Sequence, residues 1–284
     1  MREKGKITAA ILLLGIVSMF GMTSCQNGET KLPNLDSMGK VVSVSREEGS
    51  GTRTEFETLL DTKESGTKVV ATSSDEVKKQ VAVDKNAIGY TVYDSNLDSD
   101  HTKVIKVDGK KLSAESIQKG KYPLCRNYYM AYRGELNAVG KDFLSYMMSQ
   151  GQKIVSKSCV PVKKASTFLS DRSKGTLTIK GSTSAEPLIK EMIKDYKTYN
   201  PNAKIQMVAS DSSMGLTAAI RGECDLAVSS RDLKDYESEL LTSKAFAKDG
   251  IAIVVNKENP INDLSVKQIK KLYDGDCEKW ADLK

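Results

Sequence analysis

Arg46-Glu47-Glu48-Gly49-Ser50-Gly51-Thr52-Arg53 follows the run Val41-Val42-Ser43-Val44 and precedes Glu55-Phe56-Glu57-Thr58-Leu59-Leu60. The run reads as a short Val-rich strand, Gly49 to Gly51 as a tight turn, and Thr52 onward as an amphipathic helix. A strand feeding a Ser-Gly-Thr turn that opens a helix aims several backbone N–H groups and the positive end of the helix dipole at one spot, which suits an anion. Arg46 would add a planar, permanently charged fork that phosphate-like oxygens can accept in pairs. An isolated Ser-Gly-Thr is also a plain N-cap beside a surface arginine, so the rest of the chain has to decide.

At 284 residues, with 39% hydrophobic content and 6 Pro, the chain can bury one large two-lobed unit or two modest domains. The formal net charge is +6, of which Arg2, Lys4 and Lys6 against Glu3 carry +2. The remainder is interspersed with acids and forms no basic patch, so no nucleic-acid partner is expected. The single His101 sits in the polar Asp98-Ser99-Asp100-His101, and no serine elbow, carboxylate pair or metal-ligand spacing accompanies it. No catalytic residue, metal or cofactor is therefore expected.

The first residues read as a secretion signal: basic Met1 to Lys6, an apolar stretch from Ile7 through Met22, then Thr23-Ser24-Cys25. Small residues directly before a cysteine resemble a bacterial lipobox, with Cys25 as the lipidated (palmitate-bearing) mature N-terminus. Residues 1–25 are thus expected to be a lipoprotein signal peptide, and the polar residues 26–39 a tether. The protein would be extracytoplasmic, held to the cell membrane by its lipid. Cys125, Cys159, Cys224 and Cys277 permit disulfides or free thiols, and their spacing does not choose.

Further on, strands and helices alternate, which predicts an α/β architecture. Strands are expected at 67–72, 87–93, 103–108 and 128–132, with a helix capped by Ser74 or Asp75 and a hairpin across Asp108-Gly109. Lys163 to Gly175 turns polar and reads as a linker. The pattern then restarts: strand Thr176 to Lys180, turn Gly181-Ser182-Thr183-Ser184, helix Ala185 to Tyr199, strand Ile205 to Ala209. A polar turn Ser210 to Gly215 leads to the helix Leu216 to Arg221, and Asp225 to Ser230 is a strand ending in hydroxyls. Each Ser or Thr alone is a cap. Three in series on parallel strand ends are what an oxyanion site in an open α/β sheet requires.

With these residues in hand, the chain resembles the lipid-anchored substrate-binding proteins of phosphate ABC transporters. The resemblance rests on Gly181-Ser182-Thr183-Ser184 with Pro187, Gly222 and Asp225 leading to Ser229-Ser230-Arg231, and Asp249-Gly250-Ile251-Ala252 with Asn256, Asn259 and Pro260. It continues through Trp280, Arg46 to Arg53, Ala87-Ile88-Gly89-Tyr90, Tyr122-Pro123 with Arg126, Gln152 and Val160-Pro161-Val162. In that family the Gly-Ser-Thr-Ser half comes first. Here it comes second, so the resemblance implies a circular permutation in which residues 163–175 join the former termini.

It also implies a two-lobed type II periplasmic-binding-protein fold, with mixed sheets flanked by helices and a hinge between lobes. One lobe would comprise 40–122 plus 257–284, and the other 123–256. Arg46, Ser50, Gly51 and Thr52 would close with Thr183, Ser184 and Ser212 on one phosphate, while Ser213, Ser230, Arg231, Asp232 and Arg126 are additional anion-site candidates. Arg231 occupies the place of an acidic residue that in some members accepts the proton of hydrogen phosphate. The implied partners are inorganic phosphate and an ABC permease, and the implied state is a monomer, with a domain-swapped dimer as the alternative. Two other readings stand beside this one: a receptor for another oxyanion such as tungstate or sulfate, and a non-transport sensor or scaffold.

Overall fold

The computed structural model describes residues 32–66, 68–93 and 99–284. The leader, Cys25 and the start of the segment read as a tether lie outside them. Late in that segment, Leu35 and Met38 are already buried against the core, so the chain is docked before Lys40.

A curled mixed sheet of ten strands forms the frame. Val42–Arg46 pairs in parallel with Lys68–Ala71 on one side and Ala87–Val92 on the other. In the far half, Gly175–Ser182 pairs in parallel with both Ala203–Ser210 and Leu226–Ser229. The 15-residue strand Thr242–Asn256 joins the halves. Its residues from Thr242 to Gly250 run antiparallel to Cys125–Tyr132, and those from Ile251 to Val255 antiparallel to Ala87–Val92. The sequence shows only the second part as a strand, because Thr242, Ser243, Lys244 and Lys248 are exposed and interrupt the apolar run.

The two largest of three core clusters among the described residues mark the lobes. Phe56, Tyr90, Ile251 to Val255, Tyr273 and Trp280 belong to one, and Tyr128, Phe143, Tyr146, Tyr196 and Phe246 to the other. The division falls between Leu124 and Tyr128 on one strand and between Ala247 and Ile251 on the next, earlier than the crossing expected near Asn256. The 163–175 stretch is packed rather than loose: Phe168 enters the second core, and the Ser170 hydroxyl and Asp171 N–H both donate to Asp142.

The two ends of the described chain touch. Lys40 forms an antiparallel bridge with Lys279, the Val41 N–H donates to the Glu278 carbonyl at 2.8 Å, and the Trp280 N–H to Gly39 at 3.2 Å.

Several local expectations shift for physical reasons. Ser73, not Ser74 or Asp75, caps the helix Ser74–Val83 by accepting from the Glu76 N–H. The turn expected to reach Gly215 is instead the first turn of the helix Ser212–Arg221, because Asp211 caps it by accepting from the Met214 N–H at 2.7 Å. The Asp108-Gly109 hairpin contracts to one Val107–Lys110 bridge, since Lys106–Val107 pairs with Asp263–Leu264 instead. Cys125, Cys159, Cys224 and Cys277 are all free thiols. Among the described residues, no helix is long and apolar enough to cross a membrane.

Candidate functional site

Arg46 ends its strand with no solvent exposure. Its Nη2 donates to Thr183 Oγ1 at 3.0 Å, and its Nη1 reaches Ser184 Oγ and Ser74 Oγ, each at 3.5 Å. Thr183 and Ser184 stand between the strand Gly175–Ser182 and the helix Glu186–Tyr199 of the other lobe. Arg46 therefore spans the cleft. Beside it the Thr52 hydroxyl meets Ser184 Oγ at 2.7 Å.

Ser50 caps the helix Gly51–Leu60, as an N-cap serine should, by accepting from the Arg53 N–H. The same turn also faces the opposite lobe: the Ser213 N–H donates to the Gly49 carbonyl at 3.4 Å. Gly49 has φ +86 and a side chain there would press on the Asp211 carboxylate at 2.9 Å, so glycine is required twice over. At Gly51 an added Cβ would collide with the hydroxyls of Ser212 and Ser230. That gap at Gly51 lets the helix start approach the other lobe's serines.

Ser212 Oγ accepts from the Ser230 N–H at 3.1 Å and lies 3.3 Å from Ser230 Oγ. A hydroxyl that accepts has its own hydrogen free to donate onward. The same logic runs through Arg126, whose Nη1 donates to Thr52 Oγ1 at 2.7 Å and to the Ser230 carbonyl at 3.3 Å. Arg126, Thr52 and Ser184 are thereby linked in a hydrogen-bond network of the kind that strengthens in a low-dielectric interior.

Three guanidinium groups border the cleft, and each is matched by its own carboxylate. Glu47 takes Arg46 Nε and Nη2, both at 2.7 Å. Asp249 takes Arg126 Nε at 2.8 Å and also accepts the Tyr128 hydroxyl at 2.8 Å. Glu237 takes both Arg231 Nη atoms at 2.7 and 2.8 Å. Burial alone would raise Glu237, but the Arg231 hydrogen bonds and the Lys234 N–H hold it below the ordinary carboxylate range.

The expected site residues are thus not equivalent. Arg46, Gly51, Thr52, Thr183, Ser184 and Ser212 come together, with Ser50 beneath them as the cap. Ser230 and Arg126 join the group. Arg231 does not: its fork faces Glu237 and Ser213 Oγ, the latter at 3.2 Å. Asp232 is exposed and meets Glu55 of the other lobe through its backbone N–H. Burial first, and the Asp232 charge second, push the Glu55 carboxyl above its usual range. Sequence reasoning missed Ser74, which looks like any helix-opening serine, and missed that Asp249, 123 residues from Arg126, fixes that arginine.

Residues 30–150 and 166–284 match the PBP superfamily domain. The chain belongs to the PBP superfamily. Among its relatives, the phosphate-binding protein PstS 2 of Streptococcus agalactiae serotype V is 34% identical over 296 residues, covering 99% of both chains. That of Streptococcus pneumoniae serotype 4 is 32% identical over 297 residues, covering all of both. The crystal structure of a phosphate ABC transporter phosphate-binding protein from S. pneumoniae TIGR4 superposes with a TM-score of 0.72 at 32% identity, over 87% of this chain and 100% of that one. Alignments that run end to end mean that these streptococcal relatives order their segments as this PBP-superfamily chain does.

Proposed function

We propose that this chain captures inorganic phosphate between its lobes outside the cytoplasm and delivers it to the permease of an ABC importer, binding its ligand without chemical conversion. The observation that carries this reading is the set of donors drawn from both lobes: Arg46 and Thr52 on one side, Thr183 and Ser184 on the other, within 2.7 to 3.5 Å of each other. Four helices begin around that set, at Gly51, Ser74, Glu186 and Ser212. Helix starts and hydroxyls can surround a desolvated oxyanion with short hydrogen bonds.

Because Glu47, Asp249 and Glu237 already neutralise the three arginines, charge attraction contributes little and the number and direction of donors decide what is held. Arg46 Nη1, with two long contacts at 3.5 Å, is the fork best placed to exchange its partners for phosphate oxygens. We assign Arg46, Ser50, Gly51, Thr52, Thr183, Ser184 and Ser212 to this role, with Ser230 and Arg126 in support. Cys25 would carry the lipid. The lobes would move about the strands near Leu124 and Gly250, as hinge-closing receptors do.

Titration calorimetry with phosphate, sulfate and tungstate tests the reading. Phosphate is expected to bind and to be preferred. A preference for tungstate or sulfate would replace the ligand, and no heat with any of the three would favour a sensor or scaffold.

The order of segments we attribute to circular permutation relative to receptors in which the Gly-Ser-Thr-Ser half comes first. The contact of Lys40 with Lys279 supports it, because joining those ends in the other order requires only a short connection.

A further inference from the structure

Behind the Arg46 end of its strand lies a carboxyl group that does not face the cleft. Glu64 is 1% exposed. Its Oε2 accepts the Ser45 hydroxyl, and Ser45 Oγ is 3.0 Å from the Tyr90 hydroxyl. Lys68 Nζ and Arg53 Nε lie 3.5 and 3.7 Å from the same oxygen, while Oε1 has no hydrogen-bond partner. Glu64 also has φ +46, a left-handed conformation that a non-glycine residue keeps only where its surroundings impose it.

The side chains around Glu64 hold the main chain of Arg46 at both polar groups. The Arg46 N–H donates to the Tyr90 hydroxyl at 3.1 Å, and its carbonyl accepts from Arg53 Nη1 at 3.4 Å. Tyr90 is itself fixed by stacking on Phe56 at 3.9 Å. We propose that Glu64 is a positioning residue for the anion site: its ionised carboxylate orients Tyr90 and Arg53, and through them sets the Arg46 main chain so that its fork meets the bound oxyanion. This rests on the reading of the cleft as a phosphate site.

The charged and titratable groups facing Glu64 are Arg53, Lys68, Tyr90 and, from the helix Val266–Asp274, Tyr273. Asp274 of the same helix reaches it through Thr62, whose hydroxyl donates to Asp274 at 2.5 Å and accepts the Glu64 N–H at 3.1 Å. Burial lifts the Glu64 carboxyl above its ordinary range, against the Ser45 and Tyr90 hydrogen bonds and the Arg53 and Lys68 charges. The group therefore takes up its proton at a higher pH than a free glutamate, and its hold on Tyr90 and Arg53 weakens there.

The test is phosphate titration of the full chain and of Glu64→Gln from about pH 4, at the ordinary glutamate range, to about pH 8. At the upper end the amide variant is expected to bind about tenfold more weakly, the scale of one hydrogen bond to a charged group. The ratio should shrink toward one as pH falls and the native carboxyl becomes neutral too; phosphate's own titration is common to both proteins and drops out. Combining Glu64→Gln with Tyr90→Phe should add nothing beyond the weaker single variant. Equal or tighter binding by Glu64→Gln at pH 8, or a ratio that stays constant with pH, overturns the role. Should Glu64→Gln not fold, Tyr90→Phe and Ser45→Ala are expected to show the same tenfold loss, and native affinity in both overturns it. A native chain that gives no heat with phosphate overturns the reading of the cleft, whereas one that binds while the ratio stays flat overturns only the part given to Glu64.

Discussion

The hydroxyls of Thr52 and Ser184 meet at 2.7 Å across the cleft, one from a helix start in the first lobe and the other from a loop in the second. Arg126 donates to Thr52, and the Thr52 and Ser184 hydroxyls share one hydrogen bond that either can donate, so Arg126, Thr52 and Ser184 form one connected run. Thr52→Ala and Ser184→Ala are each expected to weaken phosphate binding by about tenfold or more, as loss of a hydrogen bond to a charged ligand does. The double variant should show coupling, since the two act in series. Calorimetry on the four proteins checks this, and strictly additive losses would contradict the serial arrangement.

Gly51→Ala separates closure from folding. The methyl group would strike Ser212 and Ser230 of the other lobe, yet alanine suits a helix start at least as well as glycine. Phosphate affinity should drop steeply while the melting temperature without phosphate stays within a few degrees. A variant that binds normally would mean the lobes need not approach at this point.

Asp249→Asn leaves the fully buried Arg126 without its carboxylate. Breaking such a pair from one side costs about 3–5 kcal/mol. Denaturant unfolding should show a loss of that order, and a change below about 1 kcal/mol would show that Tyr128 and Thr52 suffice to hold the guanidinium.

Glu55 gives a pH dependence with a definite sign. Burial first and the Asp232 charge second raise its carboxyl above the ordinary glutamate range, so just above that range the folded chain holds a proton that the unfolded chain has released. Its contribution to stability is complete below about pH 4.5 and is lost as pH rises through the raised value. Melting temperatures of Glu55→Gln and the native chain should therefore diverge in favour of the variant as pH is raised from about 4 to neutrality. Divergence in the opposite direction would refute the assignment.

A chain rejoined from Lys284 to Leu32, so that the buried Leu35 and Met38 are kept, and opened within 163–175 should fold and bind phosphate with native affinity, since Lys40 and Lys279 near the joined ends already touch. The new break should be placed away from Phe168, Ser170 and Asp171, which are anchored in the second lobe. A folded product that no longer binds would argue against permutation as the origin of the segment order.

The strand, turn and helix from Val42 to Leu60 could be read from the sequence because each signal is local: a β-branched run, a glycine at 49 where φ is positive, and a serine cap. Thr183, Ser184 and Ser212 were legible for the same reason, as hydroxyls at the ends of strands and the starts of helices. The partners of the arginines were less so. Arg231 looks like an anion ligand until Glu237, six residues on, folds back onto it as a helix begins. Arg126 on its strand carries no sign that Asp249 lies opposite, which only the antiparallel register with Thr242–Asn256 brings about. Glu64 gave no pattern at all, since its partners come from four separate elements.

Leu35 and Met38, early in the described residues, and the segment around Lys279 pack into the same lobe. A lipid on Cys25, as proposed, would therefore pin that lobe, and the other would be carried on the strands that cross near Leu124 and Gly250. Under the proposed anchoring and hinge closure, the pinned half would stay put at the cell surface and the far half would swing, so a reporter dye on an exposed far-lobe side chain such as Lys190 would travel toward and away from the membrane as ligand is captured and released.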